Sequence, residues 1–288
     1  MKKKFLLFFN VILFFIAFFL WQVFIGQTQT HFNFLEVNFF DIGRGDAILI
    51  ELPLNIQILI DGGPSLEIIE KLNKALPFYD RTIEIVILTH PHSDHLNGLF
   101  GVFETFRVEK VFLPEIRINN NKEKKLYLTF LDFLQEKKQE IIFVEEGQKI
   151  SYKGSEFLIF WPIKGLENKE INDFSIVAKF SYGEIDFLFT GDASKKVESQ
   201  LLINGFDLES EVLKVAHHGS KSASSKNFIE RVSSEIAIIS VGKNPYGHPN
   251  EEVLRLLLNY GIKILRTDRD GDIKIISDGE RYETITEH

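Results

Sequence analysis

The sequence contains no cysteine, and this absence removes several kinds of chemistry at once. A chain without cysteine forms no disulfide, offers no thiolate to a metal ion and has no cysteine nucleophile. Any metal site must therefore be built from histidine and carboxylate ligands. Stability must come from a hydrophobic core, and a hydrophobic content of 44% over 288 residues is enough to build one.

An excess of positive charge is also lacking. The chain has 33 lysines and arginines against 41 acidic residues, which gives a formal net charge of -8. Leaving out the three lysines at positions 2–4 makes the remainder -11, which is -8 minus 3. Such a chain has no general attraction for nucleic acid. A phosphate ligand would have to be bound by metal ions and by local basic groups.

Charge is absent from residues 5–25, which directly follow those lysines. About 21 mostly apolar residues are long enough to cross a bilayer of ~30 Å as a helix. The preceding lysines predict a cytoplasmic N-terminus and export of the rest, that is, a single-pass cell-membrane protein with an extracytoplasmic C-terminal domain. A cleaved signal peptide and a secreted protein are the alternative, which is less favoured because residues 26–30 lack an Ala-x-Ala-like site. We therefore divide the chain into an anchor or signal segment, 1–30, and one domain, 31–288.

Histidine is scarce, with 8 in the chain, yet His90, His92 and His95 lie close together in the stretch Thr-His-Pro-His-Ser-Asp-His. The apolar, β-branched run at 83–88 predicts a strand that ends where this stretch begins. His90 and His92 can then point one way and Asp94 and His95 another, which suits two neighbouring ions. Imidazole and carboxylate ligands favour Zn²⁺, Mn²⁺ or Fe over Ca²⁺. A polar loop with chance histidines is the alternative, and the clustering argues against it.

Other predicted strands also end in acidic residues or histidine. Asp61 follows the strand at 56–60, Asp192 follows the strand at 184–190, and a His-His pair follows the strand at 211–216. One such ending is ordinary turn chemistry, and Asp192 alone could cap a helix that begins at Ala193. Several in one chain indicate that strand ends meet at a site.

In both halves of the chain, strands come first and are followed by alternating strands and helices. That order predicts an α/β fold in which two sheets pack face to face with helices outside them. The predicted helices lie at 65–76, 97–106, 119–138, 193–204, 222–232 and 250–259.

Seven motifs occur in an order that resembles the metallo-β-lactamase domain of ComEC-type competence proteins, over roughly residues 34–277. In chain order they are Asp-Ile-Gly-x-Gly-Asp-Ala, Ile-Asp-Gly-Gly, His-x-His-x-Asp-His, Thr-Gly-Asp, Val-Leu-Lys-Val-x-His-His-Gly-Ser, Tyr-Gly-His-Pro and Arg-Thr-Asp-x-x-Gly. The resemblance implies an αββα metallo-β-lactamase sandwich, with two mixed β-sheets flanked by helices. It also implies a hydrolase site that holds two divalent metal ions, Zn or Mn.

The resemblance further implies roles for individual residues. His90 and His92 would hold the first ion, Asp94 and His95 the second, and Asp192 would bridge the two. Either member of the pair His217 and His218 would complete the second ion's ligands. The residues expected to take part in catalysis are Asp94, Asp192, His218 and His248.

Two positions depart from the expected pattern. No histidine lies between positions 95 and 192 to serve as the usual third histidine ligand of the first ion, and Asp173 is the candidate substitute. Arg44 stands where relatives carry glutamine. The carboxylates expected to support the site are Asp41, Asp46 and Asp61.

The function expected from this resemblance is that of a metal-dependent phosphodiesterase or nuclease acting on DNA, because the relatives act in DNA uptake. Two metal ions can activate a water molecule and neutralise developing charge, which suits phosphodiesters. The alternatives are hydrolysis of another phosphoester or a β-lactam-like substrate, and a non-catalytic, metal-stabilised binding module. The expected partners are a phosphodiester substrate and, through residues 5–25, the membrane. A chain with one predicted span cannot by itself conduct DNA, and no protein partner is indicated.

Overall fold

The computed structural model describes residues 9–19, 34–117, 122–152, 154–167 and 169–288. Residues 9–19 form helix α1, whose apolar side chains are exposed. Across these ranges, no helix is both long enough and apolar enough to cross a membrane. The membrane-spanning helix expected at 5–25 is thus not supported, and its two ends, 5–8 and 20–25, lie outside the described residues.

Among the described residues, fifteen short strands form two mixed sheets. In chain order they are β1 (Leu35–Phe39), β2 (Ile48–Leu52), β3 (Ile56–Ile60), β4 (Thr82–Ile87), β5 (Arg107–Pro114), β6 (Glu140–Val144), β7 (Lys149–Tyr152), β8 (Ser155–Trp161), β9 (Val177–Tyr182), β10 (Ile185–Phe189), β11 (Val212–Lys214), β12 (Ile236–Ile239), β13 (Lys263–Arg266), β14 (Ile273–Ser277) and β15 (Tyr282–Thr286).

The eight-stranded sheet has the order β15-β14-β1-β2-β3-β4-β5-β6, and the seven-stranded sheet has the order β13-β12-β11-β10-β9-β8-β7. Each sheet has a parallel part. Strands β3 to β6 run parallel in the first sheet, and strands β10 to β13 run parallel in the second. The remaining pairs are antiparallel, and short turns connect β2 to β3, β7 to β8, β9 to β10 and β14 to β15.

The other helices connect the parallel strands and cover the outer faces of the sheets. They are α2 (Glu67–Ala75), α3 (Ser93–Thr105), α4 (Lys122–Glu136), α5 (Lys195–Asn204), α6 (Lys226–Val232), α7 (Glu251–Asn259) and the one-turn α8 (Thr267–Asp270). Two 3₁₀ helices, Ile171–Phe174 and Ala216–Gly219, lie close to strand ends.

Three buried hydrophobic clusters separate four layers. One lies between the sheets and contains alternate residues of β1, such as Val37 and Phe39. The second joins the eight-stranded sheet to α2, α3 and α4, and includes Leu72 and Phe130. The third joins the seven-stranded sheet to α5, α6 and α7, and includes Leu201. The expected αββα arrangement, with two mixed sheets flanked by helices, is therefore confirmed.

Some helix boundaries differ from those predicted, and hydrogen bonds explain them. Helix α3 begins at Ser93 rather than near residue 97, so Asp94 lies in its first turn. Helix α5 begins at Lys195, because the hydroxyl of Ser194 accepts the backbone N–H of Lys196 as an N-cap. Helix α6 begins at Lys226 rather than at 222, because the buried carboxylate of Glu198 accepts backbone N–H groups of the preceding turn.

The parallel parts of both sheets direct their carboxyl ends toward one edge of the sandwich. Strands β3 and β4 lead there to Asp61 and Thr89. Strands β10 and β11 lead to Asp192 and His217, which lie within 3.9 Å of each other. Carboxyl ends of parallel strands are the usual location of ligand sites in α/β proteins, since loops from several strands converge there.

Candidate metal centre

The strand-to-helix connection after β4 brings three histidines together. His92 is the N-cap of α3, and His95 follows in its first turn, while His90 lies just before the helix. Nε2 of His90 lies 3.0 Å from Nδ1 of His92. Gly98, one turn into α3, allows the helix to approach the end of β3, since a Cβ atom there would collide with the carbonyl oxygen of Gly62.

Asp192 lies at the centre of the histidines. Its Oδ1 is 3.6 Å from Nε2 of His95, and its Oδ2 is 3.7 Å from Nε2 of both His90 and His218. These separations are too long for hydrogen bonds. They are close to the ~3.4 Å expected between two ligand atoms bound tetrahedrally to one cation at ~2.0–2.1 Å. Asp192 is therefore placed to contact a cation on either side.

The ligand atoms fall into overlapping groups, within each of which all atoms lie within 4.8 Å of one another. One position is surrounded by His90, His92 and Asp192. A second is surrounded by Asp94, His95 and His218. The two further groups are Asp46–Asp192–His218 and Asp46–Asp61–His95. The first two groups share no residue, and Asp192 of the first lies within 3.7 Å of His95 and His218 of the second.

Several atoms at these positions are buried without a hydrogen-bond partner in the described part of the chain. They are Nε2 of His95 and of His218, and one carboxylate oxygen each of Asp46 and Asp192. Buried polar atoms in folded proteins are almost always paired, so atoms of this kind that face one another indicate a missing ligand. The donor set of imidazole nitrogen and carboxylate oxygen suits Zn, Mn or Fe. The residues present thus fit the divalent metals typical of this kind of site.

The structure distinguishes between the two consecutive histidines. The imidazole of His218 is buried, and its Nδ1 lies 2.9 Å from the carbonyl oxygen of Ser240, which directs Nε2 toward Asp192. The ring of His217 is half-buried and lies beside Asn172 and Ser222 at the rim. Both histidines adopt left-handed backbone conformations, with φ of 50° and 52°. Such conformations are costly for a side chain of this size and are typical of functional turns.

Asp61 orients one of the histidines. Its buried carboxylate accepts hydrogen bonds from the backbone N–H of Thr89 and from the Thr89 hydroxyl, each at 2.7 Å. The same carboxylate lies 2.8 Å from Nδ1 of His95. Holding Nδ1 in this way leaves Nε2 of His95 as the atom directed toward Asp192. The structure thus places Asp61, one of the carboxylates predicted to support the site, directly behind His95.

Lys214 is a buried member of the site that sequence reasoning missed. Its ammonium lies 2.7 Å from Oδ2 of Asp46 and donates to the carbonyl oxygen of Val215. Asp46 in turn lies 3.5 Å from Nδ1 of His218. The available signal was a lysine inside a short, otherwise apolar strand, since lysine is almost never fully buried unless paired.

The charges of these buried groups depend on one another. Burial by itself would raise the pKa of Asp192, but His218 and His95 outweigh it and hold this pKa well below the ordinary 3.8. Burial opposes a charged His95, yet Asp192 and Asp61 keep the pKa of His95 well above 6.5. Burial, followed by the charge on His95, lowers the pKa of His90. Asp192 is therefore an ionised carboxylate beside a protonated His95, and a cation bound there would require His95 to release that proton.

Besides His217, which lies at the rim, three expected residues lie outside the groups of ligand atoms. Asp173 is buried, but its carboxylate accepts a hydrogen bond from the hydroxyl of Ser194. Asp41 caps the following turn by accepting the backbone N–H of Gly43. His248 lies at the mouth, with its ring centroid 5.6 Å from that of His217. The structure thus brings most of the predicted site together and leaves these three at its edge.

A cavity of about 1240 Å³ opens over the cluster. Asp192, His218 and His248 contribute to its lining. Arg44 lies at its mouth, where its guanidinium donates to Asp94 at 3.0 Å and lies 5.3 Å from the ring centroid of Tyr246. Arg44 therefore connects the second ligand group to the aromatic rim.

The fold and these ligand groups agree with the sequence comparison. Residues 41–243 match the metallo-beta-lactamase superfamily, and because that match covers most of the chain, the chain belongs to this superfamily. The superfamily is one of hydrolases that typically bind divalent metals.

Two similar curated relatives are competence-related proteins. The chain is 29% identical to ComE operon protein 3 of Bacillus subtilis over 262 residues, covering 83% of this chain and 32% of the relative. It is 30% identical to competence protein ComA of Neisseria gonorrhoeae over 248 residues, covering 84% of this chain and 32% of the relative. The resemblance to ComEC-type proteins is thereby confirmed, and the chain spans about a third of the length of these relatives.

Similarity to solved structures supports the assignment of the fold and does not indicate a function. The metallo-beta-lactamase fold protein YhfI from Bacillus subtilis matches with a TM-score of 0.56 and 11% identity, covering 85% of this chain and all of that one. Igni18, a metallo hydrolase from Ignicoccus hospitalis, matches with a TM-score of 0.55 and 16% identity, covering 83% of this chain and 98% of that one.

Proposed function

We propose that this chain is a metal-dependent phosphodiesterase that acts on nucleic acid, with DNA as the first candidate substrate. The observation that carries this proposal is the pair of adjacent ligand groups, one of which contains Asp192 while the other has His95 and His218 within 3.7 Å of it. Kinship with competence proteins supports DNA over other phosphodiesters.

His90, His92 and Asp192 would hold one divalent ion, Zn or Mn. Asp94, His95 and His218 would hold a second, next to the carboxylate of Asp192, which lies within 3.7 Å of Nε2 of both His95 and His218. When bound, two such ions supply Lewis acidity to the substrate and lower the pKa of a water nucleophile. The carboxylate charge of Asp192 offsets the repulsion between the two cations.

Buried groups of the chain hold the candidate ligand histidines in fixed orientations. Asp61 and the Ser240 carbonyl fix the ring orientations of His95 and His218. Asp46, held by Lys214, lies 3.5 Å from the same Nδ1 atom of His218. We assign protonation of the leaving oxygen to the imidazole of His248, because it lines the cavity and belongs to none of the groups of ligand atoms.

The test combines metal content with a substrate panel. The purified chain should hydrolyse single- or double-stranded DNA and bis-p-nitrophenyl phosphate, lose activity with EDTA, and recover it with Zn²⁺ or Mn²⁺. Nitrocefin serves as the β-lactam comparison. Hydrolysis of nitrocefin without hydrolysis of any phosphodiester would contradict the proposal, and a metal-loaded chain inert toward the whole panel would favour a binding module.

We further propose export and anchoring through residues 5–25, with residues 31–288 as the extracytoplasmic domain. The support is the uncharged segment after three lysines and the exposed apolar side chains of α1, such as Phe14 at 66% and Phe19 at 65%. Protease added to intact cells should digest the domain while the protein remains with the membrane fraction. Protection would contradict export, and release into the medium would indicate a cleaved signal.

A further inference from the structure

Four lysines lie beside the metal centre, in a chain whose formal net charge is -8. They are Lys195, Lys196, Lys221 and Lys226, and we call them the lysine track. All four side chains are exposed. The track residues follow the ligands closely in the chain, because α5 begins three residues after Asp192 and Lys221 lies three residues after His218.

Three adjoining cavities connect these lysines. The main cavity over the metal centre includes Lys221 in its lining. A second cavity, of about 280 Å³, is lined by Lys195, Lys221 and Lys226. A third, of about 520 Å³, is lined by Lys195 and Lys196 and shares His92 with the main cavity. The shared lining residues make the track continuous with the metal centre.

The loops that carry the track are fixed to each other. The backbone N–H of Lys195 donates to the carbonyl oxygen of Ser222 at 2.9 Å, and the Lys195 ammonium donates to the carbonyl oxygen of Lys221 at 2.7 Å. The carboxylate of Glu198 holds the turn before α6 by accepting the N–H of Ser225 at 2.8 Å. The lysines are therefore presented from a rigid surface, which lowers the entropic cost of binding a ligand there.

The positive charge of the track is not neutralised by close carboxylates. In the described part of the chain, none of the four ammonium groups lies within 4.0 Å of a carboxylate oxygen, whereas Lys137, Lys149 and Lys164 elsewhere on the surface do. Two exposed acids, Glu170 and Glu252, line the smaller cavities beside the lysines. The track retains a net positive charge and is suited to an anionic polymer.

An exposed aromatic platform lies at the mouth of the main cavity. The ring of Tyr246 is 64% exposed and stacks on His248, with centroids 5.8 Å apart and an interplanar angle of 27°. A basic groove combined with an exposed aromatic ring is the combination that binds single-stranded nucleic acid, because the bases stack while the backbone follows the charge. A duplex shields its bases from such stacking.

Building on the proposed phosphodiesterase function, we infer that the lysine track binds the backbone of single-stranded nucleic acid, with phosphates near Lys221 and Lys195 beside the metal centre and further phosphates contacting Lys226 and Lys196 in the two adjoining cavities. The substrate is accordingly a polymer, and several phosphates outside the scissile bond contribute to its binding.

The test is the salt dependence of binding by the full-length, metal-loaded chain. The probe is a fluorescent oligothymidylate of about 12 nucleotides with a hydrolysis-resistant phosphorothioate backbone. With four lysines contacting phosphates, the logarithm of the association constant should fall against the logarithm of salt concentration with a slope of about -3. The double variant Lys196→Ala/Lys226→Ala should reduce this slope by about 1.4. The matched control is Lys74→Ala/Lys263→Ala, exposed lysines on α2 and β13, and it should leave the slope unchanged.

Two further probes, a duplex and inorganic polyphosphate, distinguish single-stranded nucleic acid from other polyanionic ligands. Weaker binding of a duplex of equal length and of inorganic polyphosphate would support the inference. Equal or tighter binding of either probe, or a slope that the double variant does not change, would overturn it. Hydrolysis of bis-p-nitrophenyl phosphate, measured in parallel, reports on the proposed function separately. If the chain hydrolyses this diester but its binding of the oligothymidylate does not depend on salt, the lysine track is refuted and the proposed phosphodiesterase function is not.

Discussion

The ammonium nitrogen of Lys214 lies 2.7 Å from a carboxylate oxygen of Asp46, and both side chains are buried beside the metal centre. Lys214→Met keeps the length of the side chain but leaves the Asp46 carboxylate without its cation. Removing one partner of a buried ion pair costs about 3–5 kcal/mol, so the free energy of unfolding should fall by that order. Urea denaturation monitored by circular dichroism measures the change.

The control for this variant is Lys149→Met. Lys149 forms a pair of similar length, 2.9 Å, with Glu156, but the two side chains are 58% and 38% exposed. Exposed pairs contribute little to stability, so this substitution should change the unfolding free energy only slightly. Equal losses in the two variants would show that burial of the Lys214–Asp46 pair has no special effect.

Asp61→Asn should weaken metal binding without removing a ligand. The asparagine side chain can still accept from Thr89, but it cannot provide the carboxylate that holds Nδ1 of His95. Loss of such an orienting carboxylate typically reduces metal affinity 10–100-fold. Titration against a fluorescent chelator measures this affinity. Wild-type affinity in a folded Asp61→Asn chain would show that Asp61 does not orient His95.

Glu51 makes stability depend on pH at a distance from the metal centre. Burial, followed by repulsion from Glu36 on the neighbouring strand, raises the pKa of Glu51 from 4.5 to about 7. Because the folded-state pKa is raised, the favourable contribution of protonated Glu51 is complete below pH 4.5 and is lost as the pH rises through 7. Glu51→Gln should therefore match wild type near pH 4 and exceed it in unfolding free energy by up to roughly 3 kcal/mol near pH 8.

Denaturation of both proteins across this pH range gives the comparison. Glu283→Gln, an exposed substitution on β15 of the same sheet, should follow the wild-type curve. A constant difference between Glu51→Gln and wild type at all pH values would rule out the raised pKa as the cause.

Much of the fold could be predicted because hydrophobic periodicity and turn residues mark short strands, and strands followed by Asp or His mark a shared edge. The start of α3 was predicted too late, because the polar residues Ser93 and Asp94 hid a helix whose first turn carries ligands. The start of α6 was predicted too early, because Glu198 is distant in sequence from the turn that it holds.

The candidate metal-ligand residues could be predicted from the sequence, whereas most contacts that hold those residues in place could not. Histidine and aspartate at strand ends can be recognised from residue type and position. The pairing of Lys214 with Asp46, and the difference in burial between His217 and His218, depend on contacts between segments far apart in the sequence. The lysine track could not be predicted from the sequence either. The chain has a net charge of -8, and the four lysines come together only when it folds.

Asp192 is the residue on which the two-metal account depends. Its role as a cap of α5 is disfavoured because Ser194 is the N-cap of that helix. Asp192→Asn keeps the size of the side chain but removes the negative charge between two cations, so both positions should lose occupancy and turnover should fall by at least about 100-fold. Asp173→Asn, outside the groups of ligand atoms, should lose less metal, and the exposed Asp132→Asn on α4 should behave as wild type.

The most direct measurement is metal stoichiometry by inductively coupled plasma mass spectrometry, together with bis-p-nitrophenyl phosphate turnover, on folded Asp192→Asn and wild type. The account predicts about two metal ions per wild-type chain, since two ligand groups share no residue, and a loss at both positions in the variant. A variant that retains the full wild-type metal content and turnover would contradict it.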